Sequence, residues 1–322
     1  MRAFRLQKEE VALRDVPAPS PGSEAKIRLS MAGICRTDIE LAKGYMGFEG
    51  TLGHEFVGTV ADSTGEIPVG TRVVGEINCG CGDCSWCQSG LERHCPNRTV
   101  LGIQGRDGCF SEEFLLPSSN LVPVPDSVPD ERAVFAEPLA AVLEIFEQAL
   151  IRPLDSVAVV GDGKLGLLTA LVFSLRHTGT VLLVGHHPSK WKRFPEINAI
   201  HEEELDPQKA LSFDMAVEAS GTSSGLLQAV GLTKPRGTIV LKSTMEKAEP
   251  VNMTPAVVNE ITVIGSRCGR LPAAIRFLEQ TKAPVEKLIE AVYPLQEADR
   301  AWDHACEKGT LKVCLKAHEN QE

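Results

Sequence analysis

The sequence predicts an α/β protein of two domains, an irregular β-rich domain and a doubly wound parallel sheet of the dinucleotide-binding kind. Three observations carry this. The stretch from Gly33 to Glu55 gathers a thiol, an imidazole, a hydroxyl and carboxylates between β-rich runs. Cysteines 81, 84, 87 and 95 stand at intervals of three, three and eight, a spacing that lets one loop wrap a tetrahedral ion. Further on, the buried-type strand Val157-Ala158-Val159-Val160 runs into Gly161-Asp162-Gly163-Lys164-Leu165-Gly166 and then an apolar helix. In that context Gly161 and Gly163 allow a tight turn against a pyrophosphate, and Gly166 lets helix pack on strand. At 322 residues and 43% hydrophobic, the chain can build two cores.

Charge and composition narrow the function. The chain has 33 basic and 43 acidic side chains, a formal net charge of -10, and no polybasic run. Nucleic acid and anionic membrane are therefore poor partners. Met1 to Gln7 has no apolar core of a signal peptide. The apolar run Leu165 to Phe173 is too short to span a bilayer. A cytoplasmic protein is expected. Five of the ten cysteines crowd into residues 79 to 95, and without a signal peptide such crowding favours metal over disulfides.

Taken in order, residues 1 to 30 read as short strands interrupted by the turn Pro17-Ala18-Pro19-Ser20-Pro21-Gly22. Ala25 to Ala32 alternates polar and apolar positions and reads as a strand, and Phe56 to Val60 is again β-rich. Between them, Cys35 and His54 offer sulfur and nitrogen of the kind that holds catalytic zinc. A carboxylate beside a ligand histidine suits a partner that fixes its ring. Another strand follows the turn Ile67-Pro68-Val69-Gly70. Then comes the cysteine loop, where a coordinatively closed four-sulfur site would serve folding rather than chemistry. A disulfide or an iron–sulfur cluster is the alternative there, and Cys79 is the surplus thiol. Residues 109 to 128 close the β region.

The hydrophobic period then changes. Glu131 to Leu150 has helical spacing, with Pro138 in a first turn where its missing N–H does no harm. Glu137 sits at that helix start with apolar neighbours on both sides. After the Gly-rich turn comes a second strand, Thr180 to Val184. An acid about 20 residues past the turn would bind the ribose hydroxyl of NAD. Instead Gly185, His186, His187, Ser189 and Lys190 stand there, which favours a 2′-phosphate and NADP(H) over NAD(H). Further strands are Phe213 to Glu218, Thr238 to Leu241 and, as the last of the sheet, Ile261 to Ser266. Helical patterns at Pro272 to Thr281 and Leu295 to Glu307 precede a strand, Leu311 to Leu315. Tyr45, Met46 and Phe48 could line a pocket or simply pack.

Together these motifs, in this order, resemble the zinc-dependent medium-chain dehydrogenase/reductase superfamily of alcohol, polyol and threonine dehydrogenases, over about residues 1 to 317. The resemblance implies a GroES-like catalytic domain from 1–138 and 268–322 and a Rossmann domain from 139–267. It implies two zincs per chain. Cys35, His54 and Glu137 would form the catalytic site, Glu137 bonding directly or through water, with Glu55 as an exchangeable carboxylate. Cys81, Cys84, Cys87 and Cys95 would hold the structural ion. Asp38 matches the hydrogen-bond partner of the zinc-bound imidazole, Thr37 the hydroxyl that passes the substrate proton, and Arg36 a pyrophosphate contact. The Gly-rich turn and the residues after the second strand match the cofactor site. A proton-relay histidine of several relatives is replaced by Glu40. The implied activity is interconversion of a small alcohol and its carbonyl by a homodimer or homotetramer. NAD-linked polyol or threonine oxidation, a non-catalytic zinc protein and a zinc-free quinone reductase are the other readings.

Overall fold

The computed structural model describes residues 1–20, 22–63, 65–244 and 250–317, and forms two compact units. The first comprises Met1–Glu137, Arg270–Lys282 and Leu288–Glu322; the second comprises Pro138–Gly269 and Ala283–Lys287.

The first unit is built around the strand Ala25–Gly33, whose alternating burial follows its alternating sequence. It pairs antiparallel with Glu55–Asp62, Glu113–Leu116 and Lys312–Lys316, bringing Gly33 opposite both Glu55 and Cys314. The C-terminal strand thus lies beside the Cys35–His54 region, and Ile289–Pro294 pairs with its other edge in parallel. The sequence does not announce that partner strand, because its polar and apolar residues keep no clear period. The sheet has seven strands. Beside it, Arg2–Gln7, Glu10–Asp15 and Gly50–Thr51 make a three-stranded sheet. Phe56 and Phe114 meet edge to face in the core at 4.8 Å.

One expected helix is broken in two. Asp130–Ala133 and Ala136–Gln148 are separated at Val134 and Phe135. An interior helical N–H bonds the carbonyl four residues back, and Pro138 has no N–H to offer Val134. The interruption falls where that bond would lie.

The second unit is a six-stranded parallel sheet. Its order is Ala199–His201, Val181–Gly185, Val157–Val160, Phe213–Glu218, Thr233–Leu241 and Thr262–Gly265. The chain starts in the middle, winds to one edge, then returns and winds to the other. Its central strand is buried at all four residues, which is why it reads as unbroken hydrophobicity. Three differences from the sequence reading appear. Ala199–His201 is an additional edge strand of three residues, too short to show a period. Thr233–Leu241 starts earlier than Thr238, admitting a register shift against Phe213–Glu218 and a positive φ of 62° at Arg236. The last strand, Thr262–Gly265, is shorter than expected and leaves Val263 40% exposed on an open edge. No helix among the described residues is long and apolar enough to cross a membrane.

Candidate metal sites and nucleotide-binding turn

Two neighbouring segments of the first unit present the catalytic candidates. Cys35 is the extended N-cap of the helix Arg36–Ala42, so its side chain stands clear of the helix. His54 and Glu55 open the strand Glu55–Asp62 after a glycine turn. Gly53 has φ +97°, and a Cβ there would fall 2.2 Å from the buried Phe110 ring. Only glycine makes that turn without displacing core.

Asp38 locks the two segments together. It is fully buried; one oxygen accepts from the Cys35 amide at 2.8 Å, and the other accepts from the Gly53 amide at 3.3 Å. That second oxygen also lies 3.2 Å from His54 Nδ1. The approach is off the hydrogen-bonding line, and the buried nitrogen has no hydrogen-bond partner. Burial opposes a charged imidazole at His54, but the fields of Asp38 and Cys35 outweigh it and carry its pKa well above the histidine range.

The sulfur of Cys35, a nitrogen of His54 and an oxygen of Glu55 all lie within 4.8 Å of one another. Ligands about 2.0–2.3 Å from a tetrahedral ion stand roughly 3.5 Å apart, so this mixed donor set fits one zinc with little adjustment. Thr37 Oγ1 lies 3.8 Å from Cys35 Sγ. Glu137 falls outside that 4.8 Å knot but feels it. Burial first, then Glu55 and Glu76, push its carboxyl up to about 7 against the opposing pull of His54 and Lys312. Arg36 is 67% exposed and bonds Glu40 at 2.5 Å, so the residue at the relay position is engaged with it.

Lys312 is the residue that sequence reasoning missed. Its ammonium, 3% exposed, donates to Glu55 Oε2. Burial works against the charge, but Glu55 and Cys35 more than restore it, and its pKa is raised. Gly33 makes room for the pair, since a Cβ there would lie 2.7 Å from Glu55 Oε2 and 3.0 Å from Lys312 Cδ. The available signal was the one lysine in the otherwise apolar run Leu311 to Leu315. Tyr45 and Met46 are 45% and 52% exposed, whereas Phe48 is buried and packs under Gly50.

The four spaced cysteines converge. The sulfur of Cys84 is 3.5 Å from that of Cys87 and 3.7 Å from that of Cys95; Cys81 is 3.5 Å from Cys95 and 4.0 Å from Cys87. A tetrahedron with metal–sulfur bonds of about 2.3 Å has edges of about 3.8 Å. Disulfides would require about 2.05 Å, and none of the ten cysteines is disulfide-bonded. A hydrogen bond from the Cys81 amide, outweighing burial, lowers the Cys95 thiol to about 7, toward the thiolate that binds metal. Cys79 is apart, buried, and raised by that burial to about 11. A separate hollow of about 900 Å³ in this unit touches neither sulfur cluster nor His54, and its Arg5, Glu24, Arg106 and Asp107 are already paired.

In the second unit the Gly-rich turn fits a dinucleotide. Gly161 has φ +107°, and a Cβ there would meet the Ser220 backbone at 2.8 Å. A Cβ at Gly166 would lie 1.9 Å from the Gly161 carbonyl, so helix and strand approach closer than any other residue permits. At Gly163 there is open space, where the helix Lys164–Arg176 begins, with Leu165 in its first turn. The tip of Val181–Gly185 has no acid of its own, yet the turn supplies one. Asp162 accepts from the amides of His186 and His187 at 2.9 and 2.5 Å and lies 3.1 Å from His187 Nδ1. Burial would raise its pKa, but these bonds and Lys190 hold the carboxyl below its usual range.

Residues 21–126 match the family model for the alcohol dehydrogenase GroES-like domain, and residues 196–280 match that for zinc-binding dehydrogenases. A sorbitol dehydrogenase of Halalkalibacterium halodurans is 32% identical over 94% of this chain and 95% of its own. The chain belongs to the zinc-dependent medium-chain dehydrogenase/reductase superfamily.

Its architecture recurs in solved members. A Sinorhizobium meliloti 1021 structure described as a zinc-binding dehydrogenase bound to NADP has 27% identity, covers 98% of both chains and superposes with a TM-score of 0.88. A short chain alcohol dehydrogenase of Escherichia coli CFT073 complexed with NADH gives 26% identity over 98% of this chain and 99% of its own, with a TM-score of 0.87. The superfamily thus accommodates both nicotinamide nucleotides, and this member is a zinc-dependent oxidoreductase.

Proposed function

We propose that the chain interconverts an alcohol, in the first instance a polyol, and its ketone or aldehyde, with NADP(H) as the preferred nucleotide. The observation that carries this is the knot of Cys35, His54 and Glu55 with the Thr37 hydroxyl at its side. The sorbitol dehydrogenase relative supports the polyol class. Cys35, His54 and Glu55 would hold the catalytic ion, with Glu137 joining directly or through water, and the four sulfurs would hold the second. Zinc there supplies a Lewis acid that brings an alcohol's ionisation toward neutral pH, and the nicotinamide supplies the hydride acceptor.

The chain's own groups do the rest. Thr37 receives the substrate proton and passes it outward, a role its hydroxyl beside Cys35 supports. Asp38 holds its negative charge beside the His54 ring. Lys312 balances the Glu55 charge. At the nucleotide end, Asp162 has both oxygens committed to protein groups, leaving no free acid at the strand tip to claim a ribose hydroxyl. Ten cysteines with no disulfide among them suit a reducing, cytoplasmic setting. The exposed edge at Thr262–Gly265 suits pairing of two copies, as a dimer or a pair of dimers.

The test is a panel of polyols, simple alcohols and their carbonyl partners, assayed with NADP⁺ and NAD⁺ alongside metal analysis and light scattering. The expected result is two zincs per chain, a dimer or tetramer, and turnover favouring NADP⁺. Absence of hydride transfer from a fully zinc-loaded protein would sink the activity, and a preference of about tenfold for NADH, or 1.4 kcal/mol, would overturn the cofactor assignment.

A further inference from the structure

Three imidazoles surround the tip of the second strand of the parallel sheet. The ring of His186 lies 6.2 Å from that of His187 and 6.1 Å from that of His201, which arrives on the neighbouring edge strand. Each leans on an acid. His187 Nδ1 is 3.1 Å from Asp162, His186 Nδ1 is 3.3 Å from Glu202, and His201 Nδ1 is 3.8 Å from Glu203. His201 Nδ1 also accepts from the Glu203 amide at 3.3 Å, so its neutral ring carries its proton on Nε2. His186 and His187 are 55% and 40% exposed, open to a ligand as well as to their acids.

The charges around them come from three places. Asp162 belongs to the Gly-rich turn; Glu202, Glu203 and Glu204 follow His201; Lys190, Lys192 and Arg193 lie on and after the short helix Pro188–Trp191. Of these, Asp162, Glu202 and Glu203 lie against the rings and Lys190 acts on Asp162, so with neutral imidazoles the carboxylates outnumber the ammonium and the tip has no surplus of positive charge for a phosphate. With charged imidazoles the balance changes sign. Imidazole is the side chain whose charge ordinarily changes between pH 5 and 8.

We propose that His186, His187 and His201 form a proton-gated selector for a phosphate on the adenosine 2′-oxygen, so that this chain takes NADP(H) more strongly as pH falls and loses that preference as pH rises. The selector rests on the reading of the second unit as a dinucleotide site. His186 and His187 bind the phosphate by exchanging their carboxylate partners for it. Glu202 acts as the competitor that keeps His186 occupied when no phosphate is present.

The experiment measures binding alone. Adenosine 2′,5′-bisphosphate and adenosine 5′-monophosphate are titrated calorimetrically into the full chain at pH 8 and pH 6.5. A 2′-phosphate dianion takes up a proton near pH 6, so the lower limit stays above that. The bisphosphate-over-monophosphate preference should rise about tenfold from pH 8 to 6.5, the worth of a charge-assisted hydrogen bond at a half-exposed site. His186→Gln should flatten that rise, and Glu202→Gln should tighten the bisphosphate at pH 8. Both positions are partly exposed, and far-UV circular dichroism confirms that the variants fold. A bisphosphate preference equal at both pH values overturns the selector while leaving the NADP(H) assignment standing. If the bisphosphate is never preferred, the NADP(H) assignment falls and takes the selector with it; if neither nucleotide binds, the dinucleotide reading falls too.

Discussion

Replacing Lys312 with Met removes one end of an ion pair whose side chains are 3% and 2% exposed. The methionine fills similar space, but the Glu55 carboxylate is then buried without its counter-charge, beside Cys35. Breaking a buried pair in this way costs about 3–5 kcal/mol, because the remaining charge keeps its full desolvation penalty. For a unit of this size each kcal/mol moves the melting temperature by about 2–4 °C, so a fall of about 10 °C is expected. Scanning calorimetry of zinc-stripped protein reads this directly. Adding Glu55→Gln to Lys312→Met should return at least half of the loss, since the stranded charge is gone. In zinc-loaded protein the fall should be smaller, because the ion that Glu55 helps to hold supplies a counter-charge. A single variant that loses less than about 1 kcal/mol, or a double variant no more stable than the single, would show that the pair does not carry this charge balance.

Cys84→Ser takes one sulfur from the four-sulfur cluster; metal analysis should then find one zinc in place of two, and retention of both would remove the cluster from the metal sites. Gly53→Ala forces a Cβ into the Phe110 ring at a positive φ, with an expected loss of at least about 2 kcal/mol in denaturant unfolding; wild-type stability would mean the turn relaxes freely. Asp38→Asn keeps the shape but removes the charge beside His54, and zinc affinity measured against a competing chelator should fall about 10- to 100-fold; an unchanged affinity would deny Asp38 its role. Asp214, held to about 2 by Lys234 and the Ser156 amide and hydroxyl against the effect of burial, contributes stability that is present above the unfolded value near pH 4 and lost as pH falls toward 2. Discounted for the half-exposed Lys234, that contribution is about 1–2 kcal/mol, and Asp214→Asn should abolish this part of the acid limb of a stability–pH curve. An unaltered limb would refute it.

Some features were decided along the chain itself. Strand–turn–helix at Gly161 to Gly166 is a local event in which each glycine answers a backbone demand within a few residues, so its pattern survives in one dimension. The cysteine loop is local as well, since four sulfurs within 15 residues can reach one ion with little help from elsewhere. The Cys35-to-Glu55 stretch was legible for the same reason, its partners lying within one strand–turn–strand passage. Pro138 marked the helix start correctly, while its effect on Val134 showed only in the folded chain.

Tertiary structure decided whatever depended on residues far apart in sequence. Lys312 reaches Glu55 across 257 positions because the last strand pairs with Ala25–Gly33, and no periodicity near either residue announces that pairing. Asp162 reads as a spacer between two glycines until the neighbouring strand brings the His186 and His187 amides to it, and His201 joins them only through an edge strand of three residues. Sequence records what each residue can do; the net charge around a buried group is a sum over neighbours that only the folded chain assembles.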